Sequence, residues 1–491
     1  STGSGQFAPI ANDWLYGLRA KIGFKKFLKS SLIMLLIKSL RKLQAAPRLR
    51  WRSASLVLTK HSRQNSIAKT KRSNYSGVLM WQAKLKLYKT SRALHKFIFP
   101  LLLLGCTLAF PVTGQDRLAA LVGDGSVMLH SPNGEMLVSI NPNGPLVPAS
   151  LLKIPLAHVA LTTLGEDFRF ETLFYQNDSG DLLIRGQGDP FLVSEEVARI
   201  AKTLAERGLQ QVSRLVMDDS AFEPYPDLPL EKGANDPYAA RISALAVNFN
   251  TVNLAWAAGS KLTSGEPQTP LTNLARELGA QLTPGDEQRI NLGDDPVAGL
   301  QQAQQLFQYF LKESGIAVAD ADFYRGAVTK EWTLSYSHPS SRSLRDNLNG
   351  MLRYSNNFIA NQLFLTLGAQ STGYPATSEA ARSVLQEKLS ELYGPSFGSD
   401  PQFLFMLEGS GLSREQRASA LGMMQILEVF KPYANMLPEV GGVLRKSGTL
   451  TGVYNFAGYI QGLDGLYPFV ILTNQSVNNR AEILRILQRR L

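Results

Sequence analysis

Hydrophobic spacing changes character several times between residues 115 and 491. Leu118 to His130 and Met136 to Ile140 read as strands on either side of Pro132-Asn133-Gly134, and Asn-Gly between two such runs predicts a hairpin. A solid apolar run from Leu151 to Leu161, stopped at Gly165, predicts a helix that begins near Ala149. Pro155 inside that run removes an N–H that would bond the Leu151 carbonyl, so a kink is expected there. Strand patterns at Phe168 to Tyr175, Leu182 to Arg185 and Leu215 to Met217 then alternate with one helical pattern, Val193 to Arg207, closed by Gly208. Gly259 to Asp295 is rich in Gly, Pro, Thr and Asp and reads as strands and turns.

Helical spacing returns at Pro296 to Gly315. It continues as two helices across a loop between His338 and Gly368, at Thr377 to Leu392, and at Arg414 to Phe430. Strands at Val453 to Gln461 and Tyr467 to Thr473 flank a Leu463-Asp464-Gly465 turn, and an amphipathic helix runs from Asn478 to Leu491. The expected fold class is α/β, of the α+β type, with an antiparallel sheet flanked by helices and a mostly-β domain inserted in it. The expected divisions are 115–174 and 295–491 for the main domain, and 175–294 for the insert.

Composition changes the picture at the N-terminus. The formal net charge of +11 resembles a nucleic-acid or membrane signature, yet residues 1–96 hold 21 Lys plus Arg against the single acid Asp13. The remainder holds 30 basic and 39 acidic residues, so the globular part is acidic and nucleic acid is not an expected partner. Residues 1–88 read as a basic segment without a fold of its own. Lys89 to Lys96 is basic, Phe97 to Leu104 is apolar, and Gly105-Cys106 follows, the dimensions of an export signal over 89–114. Leu103-Leu104-Gly105-Cys106 is similar to a bacterial lipobox, so the product is either lipid-anchored through Cys106 or soluble after cleavage further on. A lone cysteine rules out an internal disulfide, and the five scattered histidines carry no metal spacing, so neither metal nor cofactor is expected.

Candidate chemistry starts at Ser150-Leu151-Leu152-Lys153. Three residues apart at a helix start, the hydroxyl and the amine share a face, and a desolvated lysine can take the proton that a serine nucleophile must lose. Two later stretches complete a set: Ser355-Asn356-Asn357 between helices, and Lys446-Ser447-Gly448-Thr449 at a C-terminal strand. Their order resembles the active-site signature of the penicillin-recognising serine enzymes.

Longer runs narrow the resemblance. Arg353 to Ala360, Glu408-Gly409-Ser410-Gly411-Leu412-Ser413-Arg414 and Lys446 to Gly458 resemble the class C low-molecular-mass penicillin-binding proteins, the D-alanyl-D-alanine carboxypeptidases/endopeptidases. Gly186 to Pro190 and Leu215 to Phe222 fit that family's insert. The resemblance covers about Leu118 to the end. It implies a serine β-lactamase/DD-peptidase-like domain, peptidoglycan peptides ending in D-Ala as substrate, β-lactams as covalent inhibitors, and a periplasmic location.

The resemblance also implies roles. Ser150 is the nucleophile, Lys153 its base, and Ser355 a proton relay bridging Lys153 and the leaving amine. Asn357 binds the substrate peptide. Lys446, Ser447 and Thr449 hold its terminal carboxylate, Gly448 lets the strand approach it, and Arg414 and Asp218 resemble positions that contact the diaminopimelate side chain. Ser447 stands where Thr is commoner, and Glu408 where Asp is. The interval from Ser150 to Ser355 implies a reduced insert. Carboxypeptidase and endopeptidase action both stay open, as do a non-catalytic β-lactam sensor and a β-lactamase or esterase on the same scaffold.

Overall fold

Ser126–His130 and Met136–Ile140 form the expected hairpin, and three C-terminal strands extend it into one antiparallel sheet. Its order is Val443–Leu450, Val453–Gly462, Gly465–Leu472, Ser126–His130 and Met136–Ile140, which leaves Val443–Leu450 on an edge. The structure is a computed structural model and describes residues 114–491 except 225–227, 229–235, 258–260, 281, 284 and 294. The basic N-terminal segment and Cys106 lie outside the described residues.

The two faces of the sheet are covered differently. On one face Leu118 and Val122 pack with Ile483, Leu484 and Leu487. The first two belong to a helix, Gly114–Val122, where strand spacing was expected; four residues apart, they meet on one helical face. On the other face lies the main core, crossed by Lys153–Leu164 and Asn357–Thr372. Every residue from Lys153 to Leu161 is buried, and so is every residue from Phe358 to Ala369. A helix apolar all round must be enclosed, and each large side chain so buried contributes about 1.5–3 kcal/mol. Pro155 falls in the first turn of its helix, where no N–H is needed, and the irregularity appears before it as a 3₁₀ turn, Ala149–Leu152.

The inserted part carries sheets of its own. Its main sheet runs Tyr324–Arg325, Leu215–Asp218, Leu182–Gly186, Glu171–Gln176 and Thr333–Pro339, the first three parallel. Parallel neighbours need crossover connections, here the helices Ser194–Glu206 and Ala298–Glu313, which bury Val197, Ile200, Leu306 and Phe307 against it. The helix expected to reopen the main domain, Ala298–Glu313, packs on this sheet. A second, smaller core joins Lys261–Ser264, Thr251–Ala257 and Glu287–Asn291 to the helix Asn273–Gly279.

Candidate active site

The 3₁₀ turn that carries Ser150 is held from two sides. Ala149 takes a φ of 50°, a left-handed conformation that costs on the order of 1 kcal/mol for a residue with a Cβ. Asn455, fully buried on the next strand, offsets this: its Nδ2 donates to the carbonyls of Val147 (2.9 Å) and Pro148 (3.0 Å), and its Oδ1 accepts from Thr473 N at 2.9 Å. From the third motif, Gly448 closes against the same turn. A Cβ there would stand 2.5 Å from Pro148 O, so glycine serves the approach of the strand to the nucleophile turn.

Lys153 is fully buried, with Nζ 2.9 Å from Ser150 Oγ, 2.8 Å from Asn357 Oδ1 and donating to the Ser410 carbonyl. Burial, then the charge of Lys446, holds its amine well below the ordinary lysine pKa, while Glu408 opposes the shift. An amine so held gives up its proton more readily than a free lysine, and beside a serine hydroxyl it is placed to act as a base. Asn357 opens its helix, with Asn356 capping through Oδ1 to Ile359 N at 2.9 Å, and its Nδ2 donates to Tyr238 O of the insert at 3.3 Å.

Ser355 sits at the left-handed C-cap of Leu344–Tyr354, φ 55°, and its hydroxyl accepts from Lys446 Nζ at 2.7 Å. The sequence reading paired Ser355 with Lys153; the structure pairs it with Lys446, because Lys153 is already saturated by Ser150, Asn357 and Ser410. Lys446 also donates to Ser447 O at 2.9 Å, and burial, with Arg480 nearby, lowers its pKa to about 7. Alternation along the edge strand puts Ser447 and Thr449 on the opposite side from Lys446. There Arg480 Nη1 donates to Thr449 Oγ1 at 2.7 Å. Arg445 and Arg480 both lie on the Phe456 ring, 4.4 and 4.5 Å from its centroid, and no carboxylate pairs with either among the described residues.

Glu408 organises the remaining wall. Its buried carboxylate accepts from Ser410 N and Oγ (both 2.6 Å), Gly411 N (2.8 Å), Ser413 N (3.3 Å) and Gln416 Nε2 (2.6 Å). That web aims the Ser410 carbonyl at Lys153. It also ends the loop late: the helix expected from Arg414 starts at Ala420, where the Ser419 hydroxyl caps Gly422 N at 3.0 Å.

The two positions set apart for side-chain contacts separate. Arg414 is at the rim, donating to Thr451 O at 2.8 Å where the edge strand turns. Asp218 is buried in the insert, 3.7 Å from Arg185 and accepting from Ser220 N (2.8 Å) and Val328 N (3.1 Å), and the structure does not bring it to Ser150. His158 packs among Tyr393, Phe430 and Tyr433 as a core residue. Residue-type reasoning missed the Ser410 carbonyl, Asn455 and Arg480. Only Asn455 carried a signal, as the polar member of an apolar strand.

Comparison with known proteins gives the family and the fold. The D-alanyl-D-alanine carboxypeptidase of Actinomadura sp. (strain R39) is 27% identical over 467 residues, covering 77% of this chain and 85% of that protein. The crystal structure of penicillin binding protein 4 (dacB) from Haemophilus influenzae superposes with a TM-score of 0.61 at 20% identity, covering 77% of this chain and 98% of that one. The same protein complexed with a β-lactam superposes with a TM-score of 0.57, at the same identity and coverage. Residues 119–277 and 296–437 match the D-Ala-D-Ala carboxypeptidase 3 (S13) family, and the chain belongs to that family of serine peptidases.

Proposed function

We infer that the chain hydrolyses D-Ala-D-Ala bonds of peptidoglycan stem peptides, crosslinks, or both, through an acyl-enzyme on Ser150. The observation that carries this is the buried Lys153 amine 2.9 Å from Ser150 Oγ. Ser150 Oγ attacks the carbonyl carbon while Lys153 takes its proton. The developing oxyanion lies between the backbone N–H groups of Ser150 and Thr449. As the C–N bond breaks, the Ser355 hydroxyl gives its proton to the leaving amine and is resupplied by Lys446. After the amine departs, the proton held on Lys153 passes through solvent to Lys446; water then attacks the acyl carbon, Lys153 takes its proton, and that proton returns to Ser150 Oγ as the acid leaves. The relatives named for D-alanyl-D-alanine carboxypeptidase activity, and the H. influenzae protein held with a β-lactam, support this reading.

The terminal carboxylate of the substrate meets Ser447 and Thr449 on the strand face that Arg480 shares. Lys446 faces the other way, toward Ser355, so Arg480 supplies the charge on the carboxylate side. Arg480→Ala is expected to raise KM about tenfold with kcat nearly unchanged, the size of one lost charged hydrogen bond. A peptide amidated at its C-terminus would be insensitive to the change. Equal loss on the amidated peptide would mean that Arg480 acts only by holding Thr449.

Because peptidoglycan lies beyond the cytoplasmic membrane, this reading places the enzyme in the periplasm. It is exported by the segment before residue 115 and is either soluble or anchored at Cys106. A fluorescent penicillin tests the chemistry: the full chain is expected to keep a covalent label through a denaturing gel, and peptide mass analysis to locate it on Ser150. A folded protein that neither keeps the label nor consumes the drug would overturn the acyl-enzyme.

A further inference from the structure

Behind the loop Ser355-Asn356-Asn357 the insert presents a strained stretch of backbone. Asn248, Phe249 and Asn250 are left-handed in succession, with φ of 51°, 60° and 52°. Asparagine accepts that conformation readily, whereas a bulky residue in it is an outlier. Phe249 is held where its own backbone preference would not put it, and strain of this kind persists only where the surroundings fix it.

The two asparagines do the fixing. Asn248 N donates to Leu192 O at 3.0 Å, its Oδ1 accepts from Ser194 N and its Nδ2 donates to Ser194 Oγ, both at 2.9 Å. Asn250 N donates to Val247 O at 3.1 Å and its Nδ2 to Arg241 O at 2.8 Å. Both asparagines are buried, and Phe249 between them is half-buried.

The Phe249 ring meets Phe358 edge to face, 6.0 Å between centroids at 90°, and Phe191 at 5.5 Å and 86°. Phe358 is 4% exposed and follows Asn357 in the first turn of Asn357–Thr372. Phe191 lies beside the other helix of the loop, Leu344–Tyr354, where a Cβ at Gly350 would stand 3.8 Å from its ring. Two carbonyls of the same insert segment hold the Asn357 helix directly: Tyr238 O accepts from Asn357 Nδ2 at 3.3 Å, and Ser243 O from Gln362 Nε2 at 2.9 Å. The Asn357 amide is thus spanned between Tyr238 O and Lys153 Nζ, which is 2.8 Å from its Oδ1. A small turn of the helix start would part Oδ1 from Lys153.

We propose that Phe249 is a positioning residue for acylation: its ring, pressed on Phe358 by the left-handed run, sets the helix start that holds Asn357 against Lys153. The effect on rate rests on the acyl-enzyme at Ser150; the effect on the Asn357 amide does not.

The test is a double-mutant cycle on the full chain, read as the rate of labelling by a fluorescent penicillin. Phe249→Ala is expected to slow labelling about tenfold in the parent, because small misplacements at a reacting centre are costly. In an Asn357→Ala background it is expected to slow labelling less than about twofold, since the group it positions is gone. Equal slowing in both backgrounds, or none in the parent, would overturn the positioning role. The second readout is the side-chain amide of Asn357 in heteronuclear NMR, identified by its absence from Asn357→Ala. Its signal is expected to shift in Phe249→Ala. An unmoved signal overturns the proposal whether or not Ser150 acylates, so the two readings fail separately. If Phe249→Ala does not fold, Phe249→Gly removes the ring while relieving the left-handed backbone, and the same outcomes are read from it.

Discussion

Lys153→Met is expected to slow acylation of Ser150 about a thousandfold at neutral pH and, at the same time, to raise the stability of the fold. The first effect is the loss of a general base, which in positioned form contributes about 10²–10⁴ in rate. Methionine matches the length and fills the space without a proton acceptor for Ser150 Oγ. The second follows from where the amine is held: it is fully buried, beside the cation Lys446, with its pKa well below that of a free lysine. A lysine whose pKa is lowered on folding weakens the fold fully below that lowered pKa, and the penalty fades as pH rises toward the ordinary 10.5. The stability gain of Lys153→Met should therefore be largest at acid pH and shrink as pH rises toward the alkaline range. A time course of penicillin labelling, with Ser150→Ala as the unlabelled reference, reads the rate, and denaturant titrations across pH read the gain. Undiminished labelling would remove Lys153 as the base, and a gain that grows with pH would contradict the depressed pKa.

Glu408→Gln is the second large expectation, and it is nearly isosteric. Both carboxylate oxygens only accept, from two N–H groups and a hydroxyl, another N–H, and the Gln416 amide. An amide nitrogen placed in either position faces a donor and leaves buried N–H groups unsatisfied, at about 1–3 kcal/mol for each. A stability loss of about 3 kcal/mol is expected, together with at least tenfold slower acylation, because the Ser410 carbonyl drifts from Lys153. Glu408→Asp, which keeps both acceptors, should lose much less. Equal loss in the two variants would mean that the length of the side chain matters, not its acceptors.

What could be read from residue order follows from what the chemistry demands. A nucleophile and base one helical turn apart, a hydroxyl and amide at an inter-helix loop, and a lysine on an edge strand are local patterns, and Ser150, Lys153, Ser355, Asn357 and Lys446 meet where those patterns imply. The Ser410 carbonyl was invisible because every residue has one; only the fold decides which is aimed at an amine. Arg480 was hidden for a related reason, since an arginine near the start of an amphipathic helix reads as a solvated face. Asp218 sits in a matching run, but its carboxylate is consumed by Arg185 and two backbone N–H groups. Which sheet the Ala298–Glu313 helix covers was not legible, because the apolar face at Leu300, Leu306 and Phe307 suits either domain and sequence spacing does not name a partner.

The insert leaves and re-enters the main domain on neighbouring strands: Glu171 lies opposite Pro339, and Ser340 N donates to Phe170 O at 2.8 Å. This closure has a kinetic meaning. Bringing Ser150 to Ser355 from an unfolded chain closes a loop of some two hundred residues, an entropy cost on the order of 5 kcal/mol. Once the strands at 171–176 and 333–339 have paired, the remaining closure is a few tens of residues, comparable to a single helical hairpin. The catalytic centre is then assembled late, by a docking step that the base of the insert has made nearly local, and a chain unable to zip that base would form its helices and still fail to bring its two serines together.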